Sequence, residues 1–141
     1  MQYRIALVLC LLCLSNTLHA EREAFTLPNG DRYEGDFVDG ALSGSGVYQW
    51  ADGDRYEGQF SNDLPNGTGT YFWADGRRYD GEFVAGKRQG YGSLTWVNGD
   101  RYEGAFLANQ MHGEGTFLWG NGDRYQGDFI ANQRYGAGSM L

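Results

Sequence analysis

The chain has 141 residues, of which 23 are Gly, 8 Phe, 4 Trp and 10 Tyr, with only 2 Pro and a formal charge of −7. That length suits a single domain. So many aromatics argue against a disordered tract, and the scarcity of Pro with no three-residue Gly period excludes collagen. Glycine and aromatics in similar number ask for a folded, β-rich chain with many turns.

Residues 1–20 differ from the rest. Arg4 is the only charge before Glu21, and Ile5 to Leu14 is an unbroken apolar run followed by Ser15-Asn16-Thr17 and Ala20. A basic start, an apolar stretch of about 7–15 residues and a small residue at the cut predict a signal peptide cleaved after Ala20. The run is too short to span a bilayer, which takes about 20 residues. Leu9 and Leu12 precede Cys10 and Cys13 where a lipoprotein needs a small residue, so lipidation is disfavoured. Cleavage removes both Cys, leaves His112 as the one histidine, and sets 10 basic against 18 acidic residues for a charge of −8. The expected location is secreted or periplasmic.

From residue 29 the sequence repeats every 23 residues without insertion or deletion. Asn29-Gly-Asp-Arg-Tyr-Glu-Gly-Asp-Phe37 returns as DGDRYEGQF from Asp52, DGRRYDGEF from Asp75, NGDRYEGAF from Asn98 and NGDRYQGDF from Asn121. A second segment, Gly44-Ser-Gly-Val-Tyr-Gln-Trp50, returns as GTGTYFW, GYGSLTW and GEGTFLW. The units are 29–51, 52–74, 75–97, 98–120 and 121–141, and residues 21–28 supply a half-repeat through Phe25 and Leu27. The fifth unit stops one residue short of its Trp, which predicts an open strand edge.

Each unit reads as two strands. Alternation puts Tyr33, Gly35 and Phe37 on one face and Arg32, Glu34 and Asp36 on the other. Asp-Gly and Asn-Gly at 52-53, 75-76, 98-99 and 121-122 predict two-residue hairpin turns with both central residues at positive φ. The other connection, such as Val38 to Ser45, is predicted longer, with positive φ at Gly40, Asp63, Gly86, Asn109 and Asn132. The in-strand glycines Gly35, Gly58, Gly81, Gly104 and Gly127 leave gaps, each predicted to lie under a ring from a neighbouring strand. The expected architecture is all-β: an elongated, antiparallel, single-layer sheet of tandem hairpins, about ten strands and 45–50 Å long. Aromatic columns line one face and ion-pair columns the other.

The pattern at Tyr33, Gly35, Phe37, Gly40, Gly44 and Gly46, five times in register, resembles the MORN repeat (membrane occupation and recognition nexus). The family more often has Trp where this chain has Phe37, Phe60, Phe83, Phe106 and Phe129, and Gly where it has Asp63, Asn109 and Asn132. The resemblance implies a curved sheet of hairpins, scaffolding or self-association, and contact with acidic phospholipids.

Catalysis has little support. His112 reads as a solvated residue at a variable loop position, held elsewhere by Ser43, Asn66, Gln89 and Tyr135. The carboxylate pairs Glu34/Asp36 and Asp80/Glu82 recur with the repeat beside Arg32, Arg55, Arg78, Arg101 and Arg124, as a solvated charged face does. No cofactor is expected. The Asp-Gly-Asp and Asn-Gly-Asp turns lack the ligand density of calcium loops. The net charge opposes nucleic acid and disfavours lipid contact, the only basic clusters being Arg77-Arg78 and Lys87-Arg88. The remaining candidate surface is the aromatic face: Tyr33, Tyr56, Tyr79, Tyr102 and Tyr125, the five Phe, and Trp50, Trp73, Trp96 and Trp119. It serves either as packing or as a groove for a protein partner, a second copy, or a glycan, peptide or lipid headgroup. The predicted function is a non-enzymatic repeat scaffold, with ligand binding in the aromatic groove as the alternative.

Overall fold

A computed structural model describes residues 21–141; the predicted signal peptide lies outside the described residues. Eleven strands follow one another: β1 Glu21–Thr26, β2 Arg32–Val38, β3 Ala41–Gln49, β4 Arg55–Ser61, β5 Leu64–Phe72, β6 Arg78–Val84, β7 Lys87–Thr95, β8 Arg101–Leu107, β9 Gln110–Leu118, β10 Arg124–Ile130 and β11 Gln133–Met140. They form one antiparallel sheet in sequence order, each strand paired only with its chain neighbours. The expected single-layer ribbon of hairpins is what the chain adopts. The half-repeat contributes β1, which pairs with β2 from Glu21↔Phe37 to Thr26↔Arg32.

The two connections are the reverse of the sequence expectation. The tight two-residue turns join β2 to β3 and its equivalents, with Val38 paired to Ala41 across Asp39-Gly40. Both central residues have positive φ there: Asp39 and Gly40, Asn62 and Asp63, Ala85 and Gly86, Ala108 and Asn109, Ala131 and Asn132. The five predicted left-handed positions are therefore correct, but each is half of a pair. At Asp52-Gly53 and its equivalents only the Gly is left-handed. Gly53 N–H donates to Trp50 O at 3.1 Å and Trp50 N–H to Asp54 O at 2.9 Å. That is a three-residue loop with a glycine bulge, the next most common hairpin connection.

The segment expected to be loop is strand. Gly35 faces Gly46 while Phe37 faces Leu42, so Leu42 to Gly46 carries extra residues against Asp36 alone. This large bulge is braced by the side chain opposite it. Ser45 N–H donates to Asp36 Oδ2 at 2.8 Å, Thr68 N–H to Gln59 Oε1 at 2.8 Å, and Tyr91 N–H to Glu82 Oε1 at 3.1 Å. Asp36 and Glu82 are thus structural braces, not members of a free carboxylate pair. His112 lies in β9 within such a bulge, half-buried, rather than on a loop.

The fourth unit has Ala105 at the bracing position and no side chain to accept from Glu114 N–H. Ala105→Gln, which copies Gln59, is expected to add about 1 kcal/mol of stability. Urea denaturation measures it; an unchanged midpoint would show that the bulge needs no brace.

Successive tight turns also bond to each other. Leu42 N–H donates to Asp63 Oδ1 at 2.8 Å, while Asp63 N–H returns a bond to Leu42 O at 3.1 Å. Asn109 makes the same pair with Arg88, and Asn132 with Met111. Gly86 has no side chain to offer, and the residue facing it is Pro65, which has no N–H to satisfy; only Gly86 N–H to Pro65 O remains, at 2.8 Å. The Asx residues that depart from the family's glycine therefore act as acceptors between units.

Candidate functional site

The aromatic face separates into two rows. The first is sealed: Tyr56, Tyr79 and Tyr102 are 0% exposed, Tyr33 1%, and Phe60, Phe83, Phe106 and Phe129 no more than 5%. Each Tyr lies edge-on between two Phe rings of successive units, as Tyr79 does between Phe83 (5.2 Å) and Phe106 (5.0 Å). Its hydroxyl donates to the carbonyl of the bulge-bracing residue: Tyr33 to Asp36 O (2.8 Å), Tyr56 to Gln59 O (2.9 Å), Tyr79 to Glu82 O (3.0 Å). Burial pushes Tyr33, Tyr79 and Tyr102 up to about 12, so they stay neutral donors at physiological pH.

The ring over each glycine gap comes from within the hairpin, not from the next one. Tyr33 covers the cross-strand pair Gly35–Gly46, its hydroxyl 2.5 Å from where a Cβ on either glycine would stand. The neighbouring strand supplies Phe60, which meets Tyr33 at 5.4 Å. The Tyr and Phe of this row are therefore core, and Phe37 is only partly buried at the N-terminal end.

The second row is half open. Trp50, Trp73, Trp96 and Trp119 are partly buried and pack against that core. They stand at the necks of the three-residue loops, alternating with Tyr48, Tyr71, Leu94 and Phe117 along the ribbon. Centroids lie 4.7 Å apart for Tyr48–Trp50, 5.3 Å for Trp50–Tyr71 and 4.7 Å for Tyr71–Trp73. The row breaks at Leu94, then resumes as Trp96–Phe117 (5.4 Å) and Phe117–Trp119 (4.7 Å). A cavity of about 390 Å³ opens beside Phe117, Trp119, Phe129 and Arg134.

Loop carboxylates hold this row. Asp31 accepts from Ala51 N–H and Tyr48 hydroxyl, both at 2.8 Å, and Asp54 accepts from Ala74 N–H (2.8 Å) and Tyr71 hydroxyl (2.6 Å). Burial raises the Asp31 carboxyl, but the Ala51, Tyr48 and Asn29 hydrogen bonds outweigh it and leave it below the usual range. These oxygens are occupied by the turns, which accounts for the Asp-Gly-Asp motif without a cation.

In place of the expected ion-pair columns, the opposite face carries pairs within single strands of the second, third and fourth units: Arg55–Glu57 and Arg78–Asp80 at 2.7 Å, and Arg101–Glu103 at 2.9 Å. All are exposed and contribute little.

The MORN repeat family model matches residues 33–55, 56–77, 79–101 and 102–124, more than half of the chain. The chain belongs to the MORN repeat family. No curated protein matches it. The family match ends at residue 124, whereas β10 and β11 continue the sheet with one more hairpin. MORN repeats are generally modules of protein or membrane interaction.

Sequence reasoning missed Arg88 and Arg134, which occupy the Leu42, Pro65 and Met111 position of other units. Arg88 lies over Trp73 (5.2 Å), Tyr79 (5.7 Å) and Phe106 (5.7 Å); Arg134 lies over Trp119 (5.6 Å) and Tyr125 (5.4 Å). The signal available was Lys87-Arg88, one of two basic clusters in an acidic chain.

Proposed function

We propose that this MORN array is a secreted or periplasmic, non-enzymatic scaffold that holds a protein partner, or a second copy of itself, on the Trp row. One observation carries the reading. The Tyr and Phe rings of the sealed row are used up by packing, whereas the Trp rings at the loop necks keep part of their surface in solvent. Partly exposed aromatics in a line supply contact area at small entropic cost. The leader-like residues 1–20 support the location, and the charge of −8 favours a protein over an anionic membrane. A glycan or peptide ligand is the second reading, favoured by the cavity beside Trp119.

The test is affinity capture from the envelope or secretory compartment with residues 21–141. The Trp96→Ser/Trp119→Ser chain gives up some ring packing and is expected to melt below the wild type, yet to stay folded at the assay temperature and lose the captured protein. Light scattering identifies a second copy as the partner. Retention of the partner by the double variant, with loss on Arg101→Ala/Glu103→Ala, would move the function to the charged face.

A further inference from the structure

Arg88 is a half-buried cation that the fold does not need. Leu42, Pro65 and Met111 fill the same position in other units, so packing alone accepts an apolar residue there. Its guanidinium is walled by Trp73, Tyr79 and Phe106 and donates one bond, Nη2 to Asn109 O at 2.8 Å. Among the described residues no carboxylate lies within 4.0 Å of it. A partly desolvated guanidinium is costly without an anion, and ring faces offset only part of that cost. Burial accordingly lowers its pKa.

The surroundings strengthen the case. Arg77 stacks on the same Trp73 at 4.8 Å but is already paired with Asp75 at 2.8 Å, so of the two cations that meet this indole only Arg88 lacks a carboxylate. Units one, two, four and five have Asp31, Asp54, Asp100 and Asp123 where the third has Arg77. The break in the Trp row falls here too, where Leu94 stands in place of a ring. Two units further on, Arg134 lies over Trp119 and Tyr125 in a more exposed setting, beside the cavity of about 390 Å³.

Building on the scaffold reading, we infer that the partner is an extended acidic segment of a protein, with one carboxylate seated on Arg88 at Trp73 and a second on Arg134 at Trp119. Two units are four strands, about 19 Å at the usual strand spacing, which an extended chain crosses in about six residues. Carboxylates six residues apart also point to the same side of a strand. Charge complementarity is local: one basic spot among acidic units accepts a discrete carboxylate, whereas a continuous anionic surface would meet repulsion from its neighbours.

The probe is the blocked peptide acetyl-Glu-Thr-Phe-Thr-Phe-Thr-Glu-amide, titrated into residues 21–141 by calorimetry. Saturable binding is expected, at least tenfold weaker for the Gln-for-Glu peptide and weakening with salt. Arg88→Met, which copies Met111, is expected to keep the wild-type melting temperature and bind at least tenfold more weakly; Arg101→Met, on the opposite face, is expected to bind as wild type. Equal binding of the two peptides, no binding at millimolar peptide, or an unaffected Arg88→Met would each overturn the inference. Phosphatidylserine vesicles form a separate arm, and vesicle binding lost on Arg88→Met would overturn it in favour of lipid. If Trp96→Ser/Trp119→Ser loses the captured partner while Arg88→Met keeps it, the scaffold reading survives and the acidic-segment inference does not.

Discussion

Gly58→Val is expected to lower the stability of the array by about 3 kcal/mol or more. A Cβ on Gly58 would lie 2.5 Å from Gly69 Cα, 2.6 Å from Thr68 O and 2.6 Å from the Tyr56 hydroxyl. Two of those three atoms are backbone of the paired strand, so rotamer changes cannot relieve the overlap. β4 and β5 must separate there and Tyr56 must also shift, which strains its bond to Gln59 O. Urea denaturation followed by tryptophan fluorescence measures the loss. A midpoint within experimental error of wild type would refute the account of glycine as space for the tyrosine ring.

The second large effect belongs to Phe83→Ala. Phe83 lies edge-on to Tyr56 at 5.0 Å and to Tyr79 at 5.2 Å, joining the second unit to the third. It is 4% exposed, and truncating a buried Phe costs about 3–5 kcal/mol. In a linear array that loss falls on one interface between neighbours. The expected outcome is uncoupling as well as destabilisation: the segment reported by Trp50 and the one reported by Trp96 and Trp119 unfold at different urea concentrations. Single-tryptophan versions of Phe83→Ala resolve the two steps. One coincident transition would show that coupling runs through the hydrogen-bond ladder rather than the rings.

The ribbon was legible in the sequence because its signals are redundant. A constant period fixes the number of hairpins, and alternation fixes which residues share a face. The left-handed positions Gly40, Asp63, Gly86, Asn109 and Asn132 were legible from residue type. The turn geometry was not. Asp-Gly suits a two-residue turn and also a three-residue loop that needs only the Gly at positive φ, and the structure uses the latter. The tight turns instead place Ala85, Ala108 and Ala131 at φ of 47°, 47° and 49°, a conformation that costs an alanine about 1–2 kcal/mol and that no propensity would assign to it. Bonds between successive turns hold the chain there.

At the candidate site, residue type alone could not separate Tyr79, which is sealed, from Trp96, which is half open, since both occupy the same face. The separation comes from Phe106 closing over one and a loop neck lifting the other. Arg88 was hidden for a different reason: its position reads as apolar in three of five units, and only the fold brings it against Trp73.

Strict neighbour pairing has a mechanical consequence. With β1 and β11 at opposite ends and every interstrand bond running across the strands, tension along the ribbon acts on its hydrogen bonds in series. Load then peels strands from an end one at a time instead of shearing the sheet at once. Held between two attachments, such a tape lengthens in steps of one hairpin while the unpeeled units keep their rings and turns in register.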